Sequence, residues 1–258
     1  MNYWNYFTND LKLKKKMRTY KNLRFDDDKS TIHLMQTLSR PDISVKIYRN
    51  TFYEIGKALG LLLNKKTNGN YGNTMLACAS EDADWLAHGV LDAISQKKVS
   101  LAVFWNERVT LDSETNLEYS PIIKSFVEEI KDCKTLILVK SIISTSCVVK
   151  TQLNRLINDI SPKKIYIVAP VMYKYAEKSL KREFTADIAE KFEFITFAID
   201  SERDKVHGII PGVGGMVYPK LGLGDMHNKN RYMPEIVKER IGPIANELEK
   251  SNKTPLLH

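Results

Sequence analysis

Three acidic residues that follow an apolar segment are the first candidates for chemistry in this sequence. Glu81, Asp82 and Asp84 come directly after "TMLACAS", a run with the composition of a buried strand. Carboxylates at this spacing can act as general acids or bases, and their oxygens can coordinate a divalent cation. We therefore treat the three residues as candidate catalytic groups.

A second candidate site lies in "LILVKSIISTSCVVKTQLNRLI", where an apolar run ends and a helical pattern begins. Ser144, Thr145 and Ser146 precede the predicted helix, so backbone N–H groups and hydroxyls there can hold a phosphate. Lys140 would strengthen such an anion site, and Cys147 lies beside it. The alternatives are that the hydroxyl residues only cap the helix and that Cys147 only packs, since no histidine neighbours it in sequence.

A third candidate site lies in "FAIDSERDKVHGIIPGVGG", which is rich in glycine after an apolar run. Gly212 and Gly214 lack side chains, which lets a backbone approach a planar ligand closely. Asp200 and Ile210 complete the candidate base-binding set. The alternative interpretations are a tight surface turn for the glycines and a helix cap for Asp200.

Strand-like and helix-like segments alternate along most of the chain, and the strand-like runs are nearly all apolar. This pattern predicts an α/β fold with a central, mostly parallel sheet flanked by helices. The stretch "NERVTLDSETNLEYSP" predicts an exposed, flexible hairpin arm. In such sheets, ligands bind beyond the carboxyl ends of the strands, and all three candidate sites follow predicted strands.

The length and the charge distribution predict one domain with two extensions. The chain has 258 residues, 43% of them hydrophobic, and a net charge of +8. We expect a basic N-terminal extension over 1–30, the domain over 31–225 and a helical C-terminal extension over 226–258. The basic ends suggest contact with nucleic acid or an acidic partner, although a solvated surface explains them equally well.

Several classes of protein and site are not indicated by the sequence. The three cysteines and five histidines do not cluster, so neither a disulfide framework nor a zinc site is predicted. No long uninterrupted apolar window and no signal-peptide pattern occurs. We therefore expect a cytoplasmic protein with no membrane contact.

Five segments together resemble uracil phosphoribosyltransferases. The segment from Phe197 to Gly215 resembles that family's uracil-binding segment, and "LILVKSIISTSCVV" resembles its ribose-5-phosphate loop. "HGVLDAI", "FWNE" and "SRPDIS" resemble three further family segments in the same order, so the resemblance runs from about Leu34 to Asp225. It implies a type I phosphoribosyltransferase fold, usually oligomeric, that joins uracil to phosphoribosyl pyrophosphate with Mg²⁺ and forms UMP. The family reads the base largely through backbone groups of the uracil-binding segment.

This sequence departs from the family pattern where the phosphoribosyl donor would bind. Lys140 replaces the acidic residue that holds the ribose hydroxyls, and Glu81-Asp82-Ala83 replaces the "R-A-G" of the pyrophosphate loop. Trp105 replaces the Arg of "YRNE", and Gly215 replaces the Asp after "PGxG". Like charges at 4 Å repel by about 4 kcal/mol at an effective dielectric constant near 20.

These departures predict that the family's activity is lost. The leading interpretation is a binding, regulatory or effector subunit that keeps a residual nucleotide or anion pocket and forms a homo-oligomer or contacts a partner protein. One alternative is an enzyme of altered specificity acting on a nucleotide or ribosyl-phosphate substrate, and Mg²⁺ is expected only if transferase-like activity remains. A nucleic-acid-binding protein is the other alternative.

Overall fold

The computed structural model describes most of the chain, including most of the predicted domain and parts of both predicted extensions. Most of the predicted N-terminal extension and the end of the C-terminal one lie outside the described residues. The described ranges are 17–24, 28–71, 73–94, 99–112, 117–204 and 208–242.

One large sheet forms the centre of the fold, in the order β1-β10-β9-β7-β2-β3-β6, with the short β8 beside β9. Two antiparallel pairs, β4 with β5 and β11 with β12, lie outside it. The strands are β1 (Arg18–Tyr20), β2 (Thr74–Ala79), β3 (Val99–Asn106), β4 (Val109–Asp112), β5 (Leu117–Tyr119), β6 (Ile122–Val127), β7 (Thr135–Val139), β8 (Ile142–Ile143), β9 (Lys164–Tyr173), β10 (Phe192–Asp200), β11 (Glu202–Asp204) and β12 (Gly208–Ile210).

The helices follow the strands in the alternation that the sequence predicts. A π-helical turn over Ala83–Ala87 joins α3 to α4 without a break. The helices are α1 (Lys29–Leu38), α2 (Val45–Thr67), α3 (Ser80–Asp82), α4 (His88–Ile94), α5 (Cys147–Ile160), α6 (Ala176–Lys181), α7 (Ala186–Ala189), α8 (Val217–Lys220), α9 (Met226–Arg231) and α10, the helical residues 235–242.

Helices cover both faces of the sheet, which explains the nearly continuous apolar strands. In β2, Leu76 and Cys78 contribute to a core with α2 and α4, while Met75 and Ala77 contribute to a second core with α5 and α6. The pairs β2/β3, β2/β7, β7/β9 and β9/β10 are parallel, and only the outer pairs with β1 and β6 are antiparallel. The predicted α/β class with a mostly parallel sheet is confirmed.

The strand order places a crevice between β2 and β7. From β2 the chain goes to β3 on one side, and the later strands β7, β9 and β10 extend from the other side. Such a reversal of strand order leaves an opening at the carboxyl ends of the two central strands, where α/β proteins bind ligands. The residues after Ala79 and after Val139 therefore meet at this crevice.

Helix α2 packs unusually close to α4 because glycines line the contact. An added Cβ at Gly56 would lie 2.2 Å from the Leu86 carbonyl oxygen, and one at Gly89 would lie 2.2 Å from the Tyr53 carbonyl oxygen. Backbone atoms therefore set the spacing between the two helices. This spacing holds the helix that follows Glu81 and Asp82.

We predict that Gly89→Ala destabilises the protein by about 1–3 kcal/mol, because the new methyl group forces apart two well-packed helices. Urea unfolding followed by circular dichroism measures this change. Gly242→Ala is the control, since no atom lies within 4 Å of the added Cβ there. Equal stability of Gly89→Ala and the wild type would contradict the close helix contact.

Among the described residues, no helix is both long and apolar enough to cross a bilayer.

Candidate functional site

The crevice between β2 and β7 contains a buried cation between two carboxylates. Lys140 follows β7, and its Nζ lies 2.6 Å from Asp82 Oδ2 and 3.1 Å from Glu81 Oε1. The same ammonium donates a hydrogen bond to Ser141 Oγ at 3.1 Å. Because β2 continues directly into α3, Glu81 and Asp82 lie in the first helical turn and face the end of the neighbouring strand.

A second ammonium group approaches the same carboxylates from the C-terminal part of the chain. Lys229 of α9 places its Nζ 3.6 Å from Glu81 Oε2 and donates to the Asn106 carbonyl oxygen at 2.7 Å. Asn106 Oδ1 in turn accepts a hydrogen bond from Gln152 Nε2 at 2.8 Å. Two carboxylates thus face two ammonium groups, and the four charges balance.

Because the cluster is buried, the pKa values of Lys140, Glu81 and Asp82 depend strongly on the charges around them. The exposed fractions of the Lys140, Glu81 and Asp82 side chains are 10%, 11% and 0%. Burial alone would raise the pKa of Glu81, but Lys140 and Lys229 outweigh it and lower that pKa to about 2. Burial raises the pKa of Asp82; Lys140 opposes this rise and the Glu81 charge adds to it. Asp82 differs from Glu81 because it faces one ammonium group instead of two.

The Lys140 ammonium itself stays protonated in this setting. Burial would lower its pKa, but the charges of Asp82 and Glu81 outweigh burial and raise it. The structure therefore joins three residues to which the sequence analysis gave separate roles. Lys140 is neutralised by the two acids, so its charge is not directed to an incoming anion. The predicted part of Lys140 in an anion site stays a prediction.

Asp84 has a different environment from the two acids beside it. Its carboxylate accepts hydrogen bonds from the backbone N–H groups of Glu235 at 2.8 Å and Ile236 at 3.0 Å, and from the Tyr232 hydroxyl. These are N–H groups of the first turn of α10, which a carboxylate stabilises. Asp84 thus anchors the C-terminal helix to the domain. No group of three His, Cys, Asp or Glu side chains among the described residues is placed to hold a metal ion.

The hydroxyl-rich segment lies at the start of α5, as predicted. Ser144, Thr145 and Ser146 are partly exposed, and Ser146 Oγ donates to Glu183 Oε1 at 3.3 Å. Ser146 precedes the first helical residue, Cys147, but its side chain does not cap the helix. Cys147 is half-buried and forms no disulfide. An anion-binding role for this segment stays a prediction.

Asp200 is buried and bound to an arginine that the sequence analysis did not select. Arg18 Nε and Nη2 each lie 2.7 Å from an Asp200 carboxylate oxygen, and the two side chains are 4% and 0% exposed. Asp200 Oδ2 also accepts the Gly212 N–H at 2.8 Å. Arg18 belongs to β1, which pairs antiparallel with β10. Residues of the predicted N-terminal extension therefore form part of the main sheet.

The Arg18 guanidinium also donates hydrogen bonds to the predicted base-binding segment and to Ser39. Arg18 Nη2 donates to the Gly212 carbonyl oxygen at 2.6 Å, and Nη1 donates to Ser39 Oγ at 2.8 Å. Ile210, at the end of β12, is half-buried beside this turn. The backbone groups that a planar ligand would use at Gly212 thus have partners within the chain.

The glycines of this segment serve the chain's own packing. Gly212 has a φ of +56°, and an added Cβ would lie 2.3 Å from the Ile209 carbonyl oxygen. Gly214 has a φ of +77°, and its Cβ would lie 2.7 Å from the Leu38 carbonyl oxygen. Side chains are excluded at both positions by the backbone itself.

Aromatic residues hold the C-terminal segment over the crevice. The Tyr232 ring stacks on Trp85 with ring centroids 6.0 Å apart, and the Arg49 guanidinium lies 4.7 Å from the centroid of the same Trp85 ring. Buried Trp105 donates its Nε1–H to the Tyr232 carbonyl oxygen at 2.7 Å. Lys229 enters the charge cluster from the helix that precedes these contacts.

Comparison with known proteins supports the fold and leaves the activity open. No family model and no curated protein sequence matches this chain. The AQ2163 protein from Aquifex aeolicus is 16% identical over 76% of this chain and 95% of its own, with a TM-score of 0.57. At this identity the likeness shows a shared fold.

Phosphoribosyltransferases are also among the similar structures. A purine phosphoribosyltransferase from Pyrococcus horikoshii is 13% identical over 57% of this chain and 90% of its own, with a TM-score of 0.36. A xanthine-guanine-hypoxanthine phosphoribosyltransferase from Helicobacter pylori is 19% identical over 58% of this chain and 88% of its own, with a TM-score of 0.37. The specific resemblance to uracil phosphoribosyltransferases stays a prediction.

We predict that Lys140→Met lowers the free energy of unfolding by about 3–5 kcal/mol, because it leaves Asp82 buried without its cation. The double variant Asp82→Asn/Lys140→Met removes both charges and keeps the Glu81–Lys229 pair, so it should recover most of this loss. Urea unfolding at neutral pH measures both. A double variant less stable than Lys140→Met would contradict the pairing.

We also predict that Arg18→Met destabilises the fold by about 3–5 kcal/mol, because Asp200 is then buried without a counter-charge. Arg155→Met is the matched control, since the Arg155–Asp159 pair is about half exposed and should contribute less than about 1 kcal/mol. Thermal unfolding compares the two variants. If Arg18→Met were as stable as Arg155→Met, Arg18 would not hold the base-binding segment.

Proposed function

We propose that this protein is a phosphoribosyltransferase-like binding or regulatory protein that does not make UMP. The observation that carries the proposal is the Lys140 ammonium, which lies between Glu81 and Asp82 where the resemblance places the phosphoribosyl donor. Here the Lys140 ammonium is paired with the carboxylates of Glu81 and Asp82 from the same chain. A donor would have to break that cluster before it could bind.

The charges at the crevice oppose the donor directly. The resemblance assigns the pyrophosphate to the loop at Glu81 and Asp82, where two carboxylates would face a polyanion. Once separated from its ammonium partner, each carboxylate would repel a phosphate charge at 4 Å by about 4 kcal/mol at an effective dielectric constant near 20. The ribose hydroxyls would meet Lys140, which donates hydrogen bonds and accepts none. Both halves of the donor would therefore meet the wrong chemistry.

The base side of the site supports the same proposal. The resemblance assigns uracil to the backbone groups around Gly212. Arg18 has a planar guanidinium that donates to the Gly212 carbonyl oxygen and to Asp200. A base would compete with a buried, doubly hydrogen-bonded ion pair for these groups.

A binding role also fits the groups that remain accessible. Ser144, Thr145 and Ser146 stay partly exposed at the start of α5 and can accept a small anion or a nucleotide phosphate. For a second copy of the chain or a partner protein, the edge strand β6 exposes Ile123 and Val127 by 48% and 38%. Unpaired strand edges with apolar side chains are suited to such contacts.

An enzyme of altered specificity is the second candidate. It is favoured by Asp82, whose pKa is raised by burial and whose Oδ1 has no hydrogen-bond partner among the described residues. A carboxyl whose pKa is raised can act as a general acid on a nucleotide or ribosyl-phosphate substrate. Mg²⁺ would belong only to this candidate. Turnover of a nucleotide mixture that is abolished by Asp82→Asn would favour it.

The direct test is UMP synthesis by the purified protein. With uracil, phosphoribosyl pyrophosphate and Mg²⁺, chromatography should detect no UMP above a protein-free control, because the donor cannot bind between like charges. A genuine uracil phosphoribosyltransferase in the same buffer is the positive control. UMP formation at a rate ordinary for that enzyme would overturn the proposal.

A further inference from the structure

A strongly basic face lies at α6. A groove of about 470 Å³ there is lined by five residues, of which four are basic. A second groove of about 250 Å³ adjoins it, because Lys174 and Glu177 line both. The first groove is lined by Lys174, Glu177, Lys178, Lys181 and Arg182.

Most of the positive charge on this face is not neutralised. Glu177 pairs with Lys181, whose Nζ lies 2.8 Å from Glu177 Oε1. Within the described parts of the chain, Lys174, Lys178 and Arg182 form no ion pair, and all three are exposed. Lys21 adds a further exposed cation where it lines the second groove. Exposed cations along a groove suit a chain of phosphates better than a single ion.

An exposed aromatic ring stands among these cations. Tyr175 is 55% exposed, and its ring lies edge-to-face against Tyr173 with centroids 5.4 Å apart. Lys174 Nζ lies 5.1 Å from the centroid of the Tyr175 ring. A supported, solvent-facing tyrosine beside lysines is the arrangement on which an unpaired base stacks while its phosphates meet the cations.

Met17, which follows the most basic run of the sequence, lies beside this face. Lys12, Lys14, Lys15 and Lys16 precede Met17, whose carbonyl oxygen accepts the Ser201 N–H at 2.9 Å. The Lys174 N–H bonds to the carbonyl oxygen of the preceding residue, Asp200, at 3.0 Å. Met17, the residue that follows this run in the sequence, therefore lies close to Lys174.

We propose that this basic face binds single-stranded nucleic acid. Lys174, Lys178 and Arg182 contact phosphates, and Tyr175 stacks on a base. Stacking on a tyrosine requires an unpaired base, so a single strand is favoured over a duplex. The contact reads little sequence, because phosphates and the face of a base are common to all nucleotides.

Fluorescence anisotropy of a labelled oligouridine or oligothymidine tests the proposal on the full chain. The affinity should fall with salt, with a log–log slope of roughly −2 to −3, as for three or four phosphate contacts. Lys174→Glu/Lys178→Glu/Arg182→Glu should weaken binding by more than about tenfold and should flatten this slope. Lys46→Glu/Lys65→Glu/Lys131→Glu makes the same change in net charge at exposed positions elsewhere and should retain most of the affinity.

Tyr175→Ala separates stacking from simple charge attraction. It should weaken binding of the single strand by about tenfold, the loss expected when one stacked base is lost. Tyr119→Ala removes a tyrosine of similar exposure, 51%, from the hairpin and should bind as the wild type does. Absent or salt-insensitive binding, equal losses in the two triple variants, or tighter binding of duplex or heparin than of the single strand would overturn the proposal.

Discussion

The Lys140 ammonium between the Glu81 and Asp82 carboxylates is the interaction on which the rest of the site depends. It joins the ends of β2 and β7 at the crevice that the strand order creates. Removing a counter-charge from such a buried cluster is costly, whereas removing a whole pair is not, so the acids and the lysine constrain one another. The charged side chains at this edge of the sheet are paired with one another within the chain.

Segments from both ends of the chain complete this arrangement. Lys229 supplies the second cation to Glu81, and Asp84 anchors the helix at 235–242 that follows. At the other end of the sheet edge, Arg18 neutralises Asp200 and holds the turn at Gly212. Described segments near both ends of the chain therefore contribute to the two candidate sites.

Much of this architecture was predictable from the sequence because its causes are local. The apolar run of β2 or β7 shows a buried strand by itself, and parallel strands bring the residues after Ala79 and Val139 to one edge. The partners of the buried charged residues were not predictable, because the paired residues are far apart in the sequence. Arg18 and Asp200 are 182 positions apart, and Asp84 and Glu235 are 151 apart. A surface lysine and a buried one such as Lys229 look the same in a single sequence.

Calorimetric titration with phosphoribosyl pyrophosphate and Mg²⁺ tests most directly whether the crevice is already occupied by the chain's own charges. We predict no saturable heat, because the donor would have to separate Lys140 from two carboxylates and then face them. One-to-one binding in the micromolar range would contradict this account, since it would require the crevice to accept the donor despite the charges that fill it.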